Sequence, residues 1–143
     1  MDMRAMEELR ITMENQKKIS NRIASLIVKE LENNGVKCSC HIPYEGRAIQ
    51  FFNTNTGLYI WIRVKFEKSS DIAKLDIANI DLPPKYRRKG IFTKVINKLK
   101  RMNCVSNIKI ENVLTDEMIA WCKKHRFKEC KLNEYDPPSF VWK

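Results

Sequence analysis

The chain has 143 residues, enough to bury one real core but not two. With 43% hydrophobic and 31% charged residues, 4 glycines and 5 prolines, it reads as a globular protein; a disordered or fibrous chain is excluded. A formal net charge of +10 points toward a polyanionic ligand or partner, such as nucleic acid, an acidic protein or a phosphate-rich cofactor; a solvated lysine-rich surface is the plainer reading.

No apolar run reaches the ~18–20 residues needed to span a bilayer, so no membrane segment is expected. The opening "MDMRAMEELR" is too charged for a secretory signal. Five cysteines without such a signal read as reduced thiols in a cytoplasmic protein.

Residues 1–34 contain neither proline nor glycine and end at "NNG", a helix stop with Gly35 beyond the last turn. Met6, Leu9, Met13, Ile19, Ile23, Leu26, Ile27 and Leu31 recur at helical spacing. The pattern gives one long amphipathic helix, or two joined near Ser20-Asn21. The stripe suits packing on the chain's own sheet; a homodimer seam is the alternative.

From Val36 the period becomes two. "VKCSCHI", "RAIQFFN" and "LYIWIRVKF" read as strands, with hairpin turns at 53–57 and 67–71. In "AKLDIANIDL", Leu75 and Ile77 share one phase while Ile80 and Leu82 take the other. One extra residue at Ala78-Asn79, a β-bulge, returns all four to one face. Ile91, Val95, Ile96 and Leu99 then give a helix over 91–102, "NIKIENV" a strand, "TDEMIAWCKKHRF" a helix capped by Thr115, and "SFVWK" a last strand.

"IDLPPKYRRKGIF" at 80–92 thus joins a strand to a helix. Unpaired first-turn N–H groups and the positive end of the helix dipole make such a junction an anion site. Gly90 opens the backbone, Arg87, Arg88 and Lys89 add counter-charge, and Pro83 and Pro84 stiffen the approach. Neither a Walker loop nor G-x-G-x-x-G is present.

"LPPKYRRKGIF" resembles the acyl-CoA-binding motif of the GNAT (GCN5-related N-acetyltransferase) superfamily. Arg87 stands at its Gln/Arg position, Gly90 at its first glycine, and Phe92 where Gly or Ala is usual. The similarity runs over roughly residues 57–130, through "IKIENV" and a helix followed by Phe127. It implies one α/β domain over 1–143 with a helical segment at 1–34. The implied sheet is mixed and largely antiparallel, with a splayed parallel strand pair and flanking helices.

The implied activity is acetyl transfer from acetyl-CoA to a primary amine: a protein lysine, an N-terminus, an aminoacyl-tRNA or a small amine. Pantetheine would meet Ile80, Asp81, Leu82 and Asn112, and pyrophosphate the backbone of Arg87, Arg88, Lys89, Gly90, Ile91 and Phe92. Asp76 stands near the usual position of a catalytic glutamate, and Cys122 where a tyrosine often protonates the thiolate. Thr115, Cys122 and Arg126 depart from the pattern. They leave open a CoA-binding protein without activity, or a basic module that binds nucleic acid or an acidic partner. The acceptor's own acidity, in a protein or tRNA, is suggested only by net charge.

"CSCH" at 38–41 with Cys122, His125 and Cys130 lacks zinc-ligand spacing, so no metal is expected. Trp121 reads as core, and Trp61 as the tryptophan that can line a cleft.

Overall fold

The N-terminal segment forms a single helix, α1 (Met3–Asn33), in a computed structural model that describes every residue except Met1, Lys68, Ser69 and Leu132. Asp2 caps it through Ala5 N, and no break occurs at Ser20. Ser20 is buried instead and donates its hydroxyl to Gly46 O at 2.5 Å. Gly46 needs its glycine: φ is +85°, and a Cβ would lie 3.3 Å from Lys17 Cα and from Ser20 Oγ. This contact holds the middle of α1. Only from Ile19 onward does its stripe become buried; Met3, Met6, Leu9 and Ile11 stay exposed.

Seven strands follow in one sheet: β1 (Ser39–His41), β2 (Ala48–Asn53), β3 (Leu58–Phe66), β4 (Ala73–Asp81), β5 (Val105–Ile110), β6 (Lys128–Cys130) and β7 (Ser139–Trp142). Their order is β1-β2-β3-β4-β5-β7-β6, and β4–β5 is the one parallel pair among the described residues. Helix α2 (Ile91–Lys100) links that pair and α3 (Asp116–Lys124) follows it, with Thr115 Oγ1 capping Met118 N. The turn at 53–57 closes on Gly57 with φ +83°. The one expected at 67–71 includes Lys68 and Ser69, which lie outside the described residues. Strand β6 has no counterpart in the expected order, because three residues with two charges are too few to show an alternation.

The phase slip in β4 is real. Ile62 pairs with Ile77 and Trp61 with Asn79, so Ala78 is the extra residue. Leu75, Ile77 and Ile80 thereby all lie opposite core residues of β3, namely Val64, Ile62 and Ile60. Helices α1 and α2 cover that face through Ile23, Ile27, Leu31, Ile91, Ile96 and Leu99. Arg63, Lys65 and the half-buried Tyr59 and Trp61 point the other way. Parallel pairing with β5 stops at Ile77–Ile110, although β4 runs on to Asp81. Beyond Ile77 the two strands part.

Where α1 meets α2, Glu30 is buried and Lys98 Nζ lies 2.8 Å from its Oε2. Asn34 adds a hydrogen bond to the Glu30 carbonyl and accepts one from Lys94. Hydrogen bonding from Lys98 holds the Glu30 carboxyl below its ordinary range. Glu30→Gln is expected to destabilise the fold by about 1 kcal/mol at neutral pH. A lowered folded pKa stabilises fully above the usual carboxylate value of about 4.3 and is lost as pH falls through the folded value. Thermal unfolding should therefore separate the two proteins at neutral pH and bring them together in acid.

Candidate functional site

The parting of β4 from β5 opens a cleft of about 720 Å³, within the range of small-molecule and cofactor sites. Its floor is Ile77–Ile80 of β4 and the segment Ile110–Val113 that runs off β5. One wall is the turn from Tyr86 to Gly90 with the first residues of α2, and the other is Leu114, Thr115, Glu117, Met118 and Trp121.

At the turn, Pro83 and Pro84 lead into a 3₁₀ turn, Pro84–Tyr86, whose closing bonds are Tyr86 N to Pro83 O and Arg87 N to Pro84 O. The next helical bond is Lys94 N to Gly90 O. Between them, the N–H groups of Arg88 through Thr93 donate to no acceptor among the described residues. Arg88 and Gly90 both have positive φ, +60° and +72°, which wraps the backbone around this point. A Cβ on Gly90 would meet nothing within 4 Å, so the space above it is open. The result is a row of unpartnered donors at the positive end of α2, in a segment most of which lines the cleft.

The arginine side chains are occupied within the chain. Arg87 Nε donates to Leu82 O at 2.6 Å, with its guanidinium 3.8 Å from Asp81, and so fixes the strand's exit. Arg88 reaches across to Glu117 at 3.6 Å, joining the two walls through an exposed pair. Phe92 packs on Trp121 at 4.8 Å between ring centroids, and Trp121 Nε1 donates to Thr93 Oγ1 at 2.9 Å.

Of the residues singled out by sequence, Ile80, Leu82, Arg87, Arg88, Gly90, Ile91, Phe92 and Asn112 line the cleft. Asp81 and Lys89 are exposed outside its lining. Cys122 stands apart from the cleft: it is fully buried against the core, outside the lining, and burial pushes its thiol up to about 11. Asp76 stands apart as well. It sits on the sheet face opposite α1 and α2, buried beside Lys65, whose Nζ approaches within 2.6 Å without hydrogen-bond alignment. It too is absent from the lining.

Trp61 and Trp121 exchange places relative to expectation: Trp121 lines the cleft and Trp61 does not. Glu111 is the site residue that no motif singles out. It follows Ile110, reaches the cleft, and takes Arg63 Nη1 at 2.9 Å on both carboxylate oxygens. Alternation along β5 holds the signal, since Lys109 and Glu111 must leave the core face that Ile108 and Ile110 occupy. No group of three or more potential metal ligands occurs among the described residues.

Thiol reactivity separates these placements. Under native conditions a disulfide reagent is expected to label exposed Cys40 and Cys130 first and Cys38 more slowly. Cys104 and Cys122 should react only after unfolding. Rapid labelling of Cys122, mapped by mass spectrometry, would return it to the cleft.

Compared by sequence, the chain matches no protein-family model and no curated protein. Compared by structure, it is similar to Arabidopsis thaliana Naa50 in complex with the bisubstrate analogue CoA-Ac-MVNAL. There the identity is 15%, with 66% of this chain and 69% of that one covered, at a TM-score of 0.44. It is also similar to an acetyltransferase from Thermus thermophilus, at 11% identity, 89% and 85% coverage and a TM-score of 0.48. A largely antiparallel seven-stranded sheet, one parallel pair that parts beyond Ile77 and Ile110, and helices against it make the α/β, GNAT-like architecture that the motif implies.

Proposed function

We propose that the chain is an acetyl-CoA-dependent N-acetyltransferase acting on a primary amine. The observation that supports this most is the conjunction, in one cleft, of an unpartnered row of N–H donors and an unpaired strand edge. The donors from Arg88 to Thr93 suit a pyrophosphate. The edge of β4 beyond Ile77 suits an amide-bearing arm that adds to the strand by hydrogen bonds, and few other ligands need both.

In this reading Ile80 and Leu82 flank the pantetheine arm, Asn112 contacts it from the far side, and the thioester lies where the strands part. The amine nitrogen attacks the thioester carbonyl, a C–N bond forms, and the C–S bond breaks to release the thiolate. The nitrogen must lose a proton; of the two carboxylates that line the cleft, Glu117 pairs with Arg88 at its wall, and Glu111, on its floor beside the strand parting, is the one that can accept it directly or through water. Arg63 holds that carboxylate in place. The thiolate is a good leaving group and takes its proton from solvent, with no role for Cys122.

The buried thiol favours one second reading, a protein that binds CoA without turnover. Product formation decides between the two.

Gly90→Glu is expected to abolish acetyl-CoA binding by calorimetry, because a carboxylate then occupies the open space above the donors. Gly90→Ala should fold at a cost of about 1–2 kcal/mol for positive φ and weaken binding less. Unchanged affinity in Gly90→Glu would remove the cradle. Glu111→Gln is expected to lower kcat by about 10²-fold with acetyl-CoA affinity nearly unaltered. Asp76→Asn should act mainly on thermal stability. A larger loss of turnover in Asp76→Asn than in Glu111→Gln would restore Asp76 as the base.

A further inference from the structure

The run "KKHRFK" at 123–128 closes α3 and leads into β6, with Glu129 as the carboxylate beside it. The fold brings the end of α2 against this run. Lys100 Nζ donates to His125 O at 2.9 Å and lies 5.0 Å from the Phe127 ring centre and 5.3 Å from that of Trp142. Lys100, Arg101, Lys123, Lys124, Arg126 and Lys128 make no ion pair among the described residues, and all but the half-buried Lys100 are exposed. Together with Glu129 they leave +5, half of the formal net charge of +10. The crowding is felt inside the chain. Burial lowers the pKa of both Lys100 and His125; Arg126 lowers the first further, and Lys100 and Lys124 the second.

Helix ends account for part of this, since lysines in a last turn offset the dipole. Arg101, Arg126 and Lys128 lie past the last helical residues, where the carbonyls are already bonded. Lys98 O takes Arg101 N, Leu99 O takes Met102 N, Cys122 O takes Phe127 N and Lys123 O takes Arg126 N. The last two bonds form a Schellman turn, with Arg126 at the left-handed position, φ +66°, that glycine usually fills. A side chain there strains the backbone. Among the described residues the Arg126 guanidinium makes no ion pair that would offset the strain, so the residue points outward, to a partner.

Six cations from three elements suit a partner whose own charge is dense and regular. Duplex nucleic acid carries one phosphate charge per about 1.7 Å of its axis. A single strand fits less well, because its binders stack bases on accessible aromatic rings, and at this end Phe127 is buried and His125 and Trp142 are half-buried. We propose that the ends of α2 and α3 and the start of β6 form a docking surface for the phosphate backbone of duplex nucleic acid. This surface lies at the far end of α2 from Gly90, a helix of 10 residues or about 15 Å, and stands independently of the acetyltransferase reading.

Fluorescence anisotropy of a labelled DNA duplex is expected to show saturable binding by the full chain. With about four cations on phosphates, affinity should fall about 10²-fold between about 50 and 200 mM salt. Arg126→Gly should weaken binding about tenfold at about 0.1 M salt and reduce the salt slope by about 0.9, while thermal unfolding stays at or above the parent's midpoint. Lys124→Glu with Lys128→Glu should abolish binding with circular dichroism unaltered. Lys18→Glu with Lys29→Glu makes the same change of net charge on α1 and should cost far less. Equal losses in the two pairs overturn the proposal, because binding then follows net charge and not this surface. Parental binding by Arg126→Gly overturns it too, as does displacement of the duplex by CoA, which would move the binding to the cleft. Tighter binding of a single strand, of polyglutamate or of phosphatidylglycerol vesicles than of the duplex overturns the choice of partner.

Discussion

One unpaired residue, Ala78, governs the architecture of the site. Without it, Ile80 and Leu82 would turn away from α1 and α2, and the strand could not keep its apolar side on the core through Asp81. With it, β4 holds its register against β3 and loses its register with β5 at the same level. The parting is thus a consequence of packing: the core demands the bulge, and the bulge leaves an edge that no strand fills. A sheet interior rarely tolerates unpaired backbone, so a gap lined by such an edge on one side and free amides at its end leaves hydrogen-bonding groups that only solvent or a ligand can satisfy.

The second requirement is that the amide row be rigid, since a donor array that must reorganise on binding loses much of its value. Arg87 bonds Leu82 O and so ties the turn to the end of β4. Helix α2 is fixed by Ile96 and Leu99 in the core and by the Glu30–Lys98 contact with α1. Long-range packing of α1, remote from the cleft, therefore sets the orientation of the helix dipole that points into it. The cations contribute less than their number suggests. Two of the four in the turn are engaged with backbone or carboxylates of the chain, and the donors that face the cleft are backbone.

Much of this is legible in the sequence because it rests on periodicity. The bulge shows as a phase error in a four-residue apolar pattern, and the β3 boundaries, the Thr115 cap and the strand–turn–helix order all follow from local rules. The side chains that face the cleft from α3 are displaced by one position from the expected ones. One residue is about 100° of helix rotation, enough to exchange Trp121 for Cys122. The position of Phe127 in the sequence cannot fix that rotation, because α3 ends at Lys124 and a turn with Phe127 N on Cys122 O intervenes. Asp76 lies outside the cleft for a different reason. Alternation places it off the core face correctly, but its distance from the strand parting depends on where β5 stops, a long-range register that no local pattern records.

Glu111 owes its position to that same register. It lies one residue past the last β4–β5 pair, where Glu111 N still donates to Ile77 O at 3.0 Å. The next residue, Asn112, has φ +50°, and the chain turns away to bond Pro138 O through Val113 N. The backbone is therefore pinned on both sides of the Glu111 side chain. Arg63, which pairs directly with Asp76 across β3–β4, reaches past it to hold Glu111 through both oxygens. The two carboxylates on this face are thus unequal. Asp76 is covered and compensated by Lys65, while Glu111 is oriented by Arg63 at the edge of the gap. A carboxylate held in this way keeps one orientation beside the cleft, because Arg63 fixes both of its oxygens while solvent exchanges around it.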